Sequence, residues 1–221
     1  MDLTGAYTAD RAAALSGVPK STLHWWARNE ILIPSVSSER VKLWSYPDLM
    51  GLRVIYWLRQ RKTTELGVDI PRTSMPAVRR ALKELHKLGA PIWQPGSDPA
   101  LFVDSTGRIY LRRPDGVQTV EGQLGDQALL DLIAPFETRE GTRGPDLFRP
   151  RPELRILPGK LGGSPHVVGT RNETCALAAL AKDDFSTDGI LSLYPYLTRE
   201  QIEQAIDLER QLDDNLLRRA A

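Results

Sequence analysis

Lys20, Ser21 and Thr22 stand at the front of a short helical pattern, and His24, Trp25 and Arg28 fall on the side of it opposite Leu23 and Trp26. Short hydroxyls and an amine at a helix start suit base edges, which present single donors and acceptors in the major groove. Imidazole, indole N–H and guanidinium suit phosphate oxygens. Further along, Arg40 and Lys42 alternate with Val41 and Leu43, the period of a strand with one wet, cationic face. The chemistry this set favours is nucleic-acid binding. Each member also has a plainer use: a solvated helix start for Lys20 to Thr22, an ordinary surface position for His24, solubilising charge for Arg40 and Lys42. Arg79, Arg80 and Lys83 line the charged face of a later helix, a face that is usually only solvated.

Catalytic groups do not assemble. His24, His86, His166 and Cys175 are scattered without metal-ligand spacing. Asp183-Asp184 and Asp213-Asp214 are adjacent pairs, and neighbouring side chains on a helix diverge by roughly 100°. The glycines from Gly159 to Gly163 lack the Lys-Ser/Thr that completes a phosphate loop. The expectation is a binding protein without metal or cofactor, not an enzyme. One cysteine forms no internal disulfide, the opening Met1-Asp2-Leu3-Thr4 is not a signal peptide, and no apolar run reaches the roughly 18 residues of a membrane span. A cytoplasmic protein with no membrane contact is expected.

The elements that must position these groups are short. Thr8 is placed to cap a helix from Ala9 to Ser16 that Gly17 ends; Val18 plugs the turn, and Pro19 precedes a second helix reaching Asn29. Two short helices about a glycine turn make a helix-turn-helix. Ile31 to Ile33 leave it as an apolar strand or loop. A helix beginning near Ser45 or Tyr46 carries apolar residues over much of its girth and is expected to end between Lys62 and Gly67, with another over Pro76 to Leu88. Leu101 to Val103 and Arg108 to Arg112 flank a hairpin turn; a strand over Val117 to Val120 and a helix over Gln127 to Ile133 follow. The Gly-, Pro- and Arg-rich stretch from Thr138 to Pro152 reads as a linker. Beyond a short strand at Leu154 to Leu157 come helices over Glu173 to Ala181, Thr187 to Tyr194 and Thr198 to about Leu217, with a capping box from Thr198 to Gln201. Leu193, Tyr194, Leu197, Ile202 and Ile206 are the expected core. The apolar stripe of the last helix, which includes Leu208, Leu212, Leu216 and Leu217, is expected to bind a twin or a partner, and Glu209 is its charged exception.

The net charge of +1 conceals a split: residues 1–113 hold 17 Lys+Arg against 10 Asp+Glu, and residues 114–221 hold 12 against 18. Such a chain is suited to a polyanion at one end and a different partner at the other.

Tyr7-Thr8, Ala12 to Leu15, Gly17-Val18-Pro19-Lys20-Ser21-Thr22-Leu23-His24-Trp25-Trp26, Ile31-Leu32-Ile33-Pro34 and Trp44-Ser45-Tyr46-Pro47-Asp48-Leu49 together resemble the winged helix-turn-helix of the MerR family. The resemblance implies that the second helix enters the major groove and that the basic segment acts as a wing against the phosphates. His24, Trp25, Trp26 and Ile31 stand where the family usually has arginine, two tyrosines and glycine. Gly162-Gly163-Ser164-Pro165, Val168-Gly169-Thr170-Arg171, Phe185 to Ile190 and Tyr194 to Ile202 resemble the DUF433-like domain of VapB-type antitoxins, which are encoded beside toxins with a PIN-like ribonuclease domain. Asn172 replaces the usual aliphatic residue there.

The expected fold is mainly α with small β elements. It comprises an N-terminal winged helix-turn-helix (1–90), a middle β-hairpin region with a short helix (91–137), a linker (138–153) and a C-terminal three-helix domain (154–221). The paired resemblances imply a homodimeric antitoxin that represses its own operator and neutralises a ribonuclease toxin. The alternative is a ligand-responsive regulator of the MerR type without a toxin. Gly67, Pro71 and Pro76 interrupt the long coiled coil through which such regulators usually dimerise.

Overall fold

Thr8 and Gly17 bracket the first helix as the sequence predicts. In the computed structural model, which describes residues 5–59, 62–63, 69–70, 72, 74–79, 83, 101–103, 109–113, 116–119, 130–131, 134–137 and 141–217, Thr8 accepts the Arg11 N–H at 3.3 Å and opens α1 (Ala9–Ser16). Gly17 closes it in the left-handed conformation (φ 78°), returning its N–H to the Ala13 carbonyl. Ala12, Ala13, Ala14 and Leu15 are all buried, so α1 has small side chains where neighbouring helices come close. Val18 fills the turn, and α2 (Lys20–Arg28) follows Pro19. Its exit is a Schellman turn: Ile31 N–H donates to the Trp26 carbonyl at 2.9 Å and Glu30 N–H to that of Ala27 at 3.4 Å. Glu30 holds the left-handed position (φ 53°) that glycine usually occupies.

Helix α3 (Tyr46–Arg59) starts from a reciprocal cap. The Ser45 hydroxyl accepts the Asp48 N–H at 3.2 Å, and the Asp48 carboxylate accepts the Ser45 N–H at 2.8 Å. The same carboxylate oxygen takes the N–H and hydroxyl of Ser35, which fixes the segment leaving α2 to the start of α3. Leu49, Met50, Leu52, Ile55 and Leu58 are fully buried, and so is Arg53. The Arg53 guanidinium donates to the carbonyls of Leu15, Ala134 and Pro145 and lies 5.1 Å from the Phe136 ring centroid. A cation at this depth is tolerable because carbonyl dipoles surround it.

Three expectations for the residues before the linker need correction. The strand expected at Arg40 to Trp44 is only two isolated bridges, Tyr7 to Trp44 and Ser37 to Leu43. Helix α3 does not reach 62–67, because Lys62–Thr63 is already a strand, β1, paired antiparallel with β2 (Asp69–Ile70). The helix expected over Gln127 to Ile133 is replaced at Leu130–Asp131 by strand β6, since a short apolar run satisfies a helix and a strand equally and an open sheet edge was available. That sheet runs β5 (Gly116–Thr119), β4 (Ile109–Arg113), β3 (Leu101–Val103), β6, all antiparallel, so the expected hairpin and following strand are present. Residues 75–79 form helix α4, and Lys83 is also helical; the remainder of the helix expected to Leu88 lies outside the described residues.

The stretch expected as a linker is packed wherever it is described. β7 (Phe136–Glu137) pairs with β8 (Arg143–Gly144), Leu147 is fully buried, and the Tyr46 hydroxyl donates to the Leu147 carbonyl at 2.8 Å. Its low apolar content misled because few apolar side chains, Leu147 and Phe148, suffice once backbone carbonyls and the Arg151 side chain make the remaining contacts.

Beyond it, β9 (Leu154–Arg155) pairs with β10 (His166–Val167), and a 3₁₀ turn at Leu161–Gly163 lies between them. The Tyr7 hydroxyl donates to the Gly163 carbonyl at 2.9 Å, so close that a Cβ at Gly163 would overlap it. Helices α5 (Thr174–Lys182), α6 (Thr187–Leu193) and α7 (Arg199–Leu217) sit within about one residue of expectation at most ends. Ser186 caps α6, and Thr198 and Gln201 exchange the two bonds of the capping box at 3.1 and 3.2 Å. Leu197 and Ile202 are core residues as expected; Leu193 is exposed, and Leu177, Ile190, Ala205, Leu208 and Leu212 supply the rest of the packing. The architecture is mainly helical with small antiparallel sheets. Helix α7 packs on α5, α6 and also α1, so the first and last helices share one core.

Candidate nucleic-acid interface

Leu23 and Trp26 anchor α2, and the remaining residues of the helix are thereby turned to solvent. Lys20, Ser21, Trp25 and Arg28 are exposed, Thr22 and His24 half-buried. Lys20 reaches Asp10 at 2.7 Å, an ion pair open to water on both sides and therefore weak and easily exchanged. Arg28 occupies the last turn, where its charge complements the helix dipole, and the Asn29 side chain donates to the Trp25 carbonyl at 2.8 Å.

The segment expected as a wing is a tight loop. Ser37 and Leu43 exchange backbone bonds at 3.1 and 2.9 Å, and the Ser37 hydroxyl and Lys42 amine tie the interior to Val41 and Ser38 carbonyls. With only one bridged pair at its base, the loop has no buried face: Arg40 is exposed, and Val41, the apolar partner in the expected alternation, is 64% exposed. The loop nevertheless lies against α2. His24 meets the Trp44 ring edge-on at 6.1 Å. Burial, followed by the charges of Lys20, Lys42 and Arg28, holds the His24 imidazole below its ordinary 6.5, with Asp10 opposing. Arg79 and Lys83 are exposed, and Arg80 lies outside the described residues.

The leucines assigned to a partner have a different fate. Leu208 and Leu212 are buried within the chain and Leu216 packs against the same core; among the four only Leu217, at 70% exposure, faces solvent. The stripe is covered by α1, α5 and α6, with Glu209 at its centre. The Arg11 guanidinium donates both arms to the Glu209 carboxylate at 2.6 and 2.7 Å, and the Thr174 hydroxyl donates to it as well. Burial works against the Arg11 charge, but the bonds and charge of Glu209 outweigh it and raise its pKa. Asn215 donates to the carbonyls of Ala14 and Arg143 at 3.1 and 2.8 Å.

Among the described residues of the C-terminal half, Phe185, Leu193 and Tyr196 also face solvent; Leu193 was expected in the core, and the sequence pattern assigned no exposed role to the other two. Phe185 lies over Gly189, one turn before Leu193 on the same face of α6, and the Tyr196 hydroxyl shares hydrogen bonds with the Asn172 side chain. The interruption of the apolar pattern by Gly189 is the signal that this face lacks a core partner. Thr170 ties down its own turn, accepting the Asn172 N–H and donating to the Val167 carbonyl, while Arg171 is exposed.

Residues 155–207, from β9 to the middle of α7, match a family described as a protein of unknown function (DUF433). No curated protein and no solved structure matched the chain. Among the described residues, no three His, Cys, Asp or Glu side chains form a group able to hold a metal ion, and no helix is long and apolar enough to cross a membrane.

Proposed function

We propose that the chain is a DNA-binding antitoxin of the cytoplasm, which represses its own operator through α2 and the following loop and neutralises a PIN-like ribonuclease toxin through its C-terminal half. It acts by binding and not by catalysis. The observation that carries the DNA reading is the solvent face of α2, on which Lys20, Ser21, Trp25 and Arg28 are exposed, with the loop that exposes Arg40 packed beside it through His24 and Trp44. The MerR-like pattern of residues 7–49 supports it independently. The VapB-type resemblance and the DUF433 match at 155–207 support the second half. With Leu208 and Leu212 covered, the toxin-facing surface falls to Phe185, Leu193, Tyr196 and Leu217 among the surrounding carboxylates, which suit a basic nuclease. A homodimer would address two half-sites of one operator.

Capture of the full chain from its native cell, scored for a small nuclease and for upstream DNA, tests both halves; recovery of neither sinks the reading. Replacing Lys20, Thr22 and Arg28 with alanine together should weaken operator binding and reduce the salt slope by about 2, roughly one for each of the two cations removed. An unchanged slope removes α2 from the interface. The alternative, a ligand-responsive regulator, is favoured by one feature, an open groove of about 490 Å³ lined by Arg143, Arg149, Arg151 and Phe136. Recovery of DNA without a nuclease would shift weight to it.

A further inference from the structure

Trp25 is half exposed on a helix whose other large apolar residues, Leu23 and Trp26, are buried. Nothing in the fold asks for an indole there. Helical spacing puts Trp25 beside Ser21 one turn earlier and Arg28 one turn later, both exposed, with Lys20 at the head of the same solvent face. The Asn29 side chain binds the Trp25 carbonyl and holds this end of the helix in shape. His24, on the flank nearest the loop, is already engaged with Trp44. Trp25 is thus the one large apolar surface on the face that α2 presents outward.

The major-groove edges of the four base pairs offer hydrogen-bonding atoms and a single apolar group, the thymine C5-methyl. An indole has one donor and no acceptor, so most of its surface is matched only by that methyl. Resting on the reading of α2 as the groove-entering helix, we propose that Trp25 is a specificity-determining residue that reads thymine by contact with its methyl group. Ser21, Thr22 and Lys20 supply the polar contacts beside it.

The test uses the full chain and a duplex selected from random DNA for binding to it. Each thymine of that duplex is then replaced singly by deoxyuridine, which removes the methyl and leaves every hydrogen-bonding atom. Affinity should fall about four-fold at each contacted position, the equivalent of one buried methyl. Trp25→Ala should bind more weakly and be indifferent to the replacement, Trp25→Phe should keep part of the discrimination, and Lys20→Ala should weaken binding to both duplexes equally. Equal affinity of the unmodified chain for thymine and uracil duplexes at every position overturns the proposal and leaves the DNA reading intact, as does a Trp25→Ala variant that still discriminates. Failure to enrich any duplex overturns both together. Because Trp25 is exposed, unchanged circular dichroism of the variants separates lost contact from lost fold.

Discussion

Glu209→Ala removes the acceptor at the meeting point of α1, α5 and α7. The carboxylate side chain is 8% exposed and its partner guanidinium 20%, so the pair is largely withdrawn from water. Its geometry is bidentate at 2.6 and 2.7 Å, and the Thr174 hydroxyl fills a further acceptor position. Removing one member strands a cation in a space sized for the lost side chain and leaves the Thr174 hydroxyl only the Pro165 carbonyl, at 3.3 Å. Breaking a buried pair in this way costs about 3 to 5 kcal/mol, and the partial exposure of Arg11 puts the value near the lower figure, about 3 kcal/mol. With a urea slope of about 3 kcal/mol/M, the unfolding midpoint of the full chain should fall by about 1 M. The companion Arg11→Met, Glu209→Leu double variant should recover most of the loss, since a pair of apolar groups leaves no stranded charge. A midpoint for Glu209→Ala within about 0.2 M of the parent would refute the claim that this pair ties the first helix to the last. So would a double variant as unstable as the single one.

Two further outcomes are expected. Glu30→Gly relieves a left-handed residue at the exit of α2 (φ 53°) and should raise stability by about 1 kcal/mol; thermal melting that shows no gain would mean that the Glu30 side chain compensates for its backbone. His166 is buried with its Nδ1–H donated to the Ser164 carbonyl at 3.0 Å; burial, with added repulsion from Lys160 and Arg155, holds its pKa below 6.5. The unfolded chain therefore takes up a proton first, and this contribution to stability, complete above pH 6.5, is lost as pH falls from there towards the folded value. Between pH 7.5 and 5.5 the melting temperature of the parent should drop further than that of His166→Gln, and equal drops would assign the acid sensitivity elsewhere.

What could be read from the sequence was what neighbours in the chain decide. Thr8 with Gly17, Ser186, and Thr198 with Gln201 announce helix ends because cap and helix lie within a few residues of each other. The distant partners could not be read. Periodicity marks Leu208 and Leu212 as a buried face but not what buries it, and one of the three helices that cover the stripe, α1, lies far away in the chain. Glu209 looked like an interruption of the stripe because its reason is Arg11. The stretch from Thr138 to Pro152 looked like a linker because carbonyls leave no trace in composition, yet those of Pro145, Leu147 and Arg143 are taken by Arg53, Tyr46 and Asn215. At the candidate interface the residue types and the face of α2 were legible. The shape of the Arg40 to Trp44 segment was not, since alternation alone does not provide a neighbouring strand to pair with.

The bond between Arg11 and Glu209 spans 198 positions of sequence. At a synthesis rate of roughly 5 to 20 residues per second, α1 would leave the ribosome about 10 to 40 s before its partner helix exists. Throughout that interval Arg11 waits without its carboxylate, while α2 and α3, which follow α1 directly in the chain, can already pack against it. The packing of α1 is therefore completed by a helix made long after it.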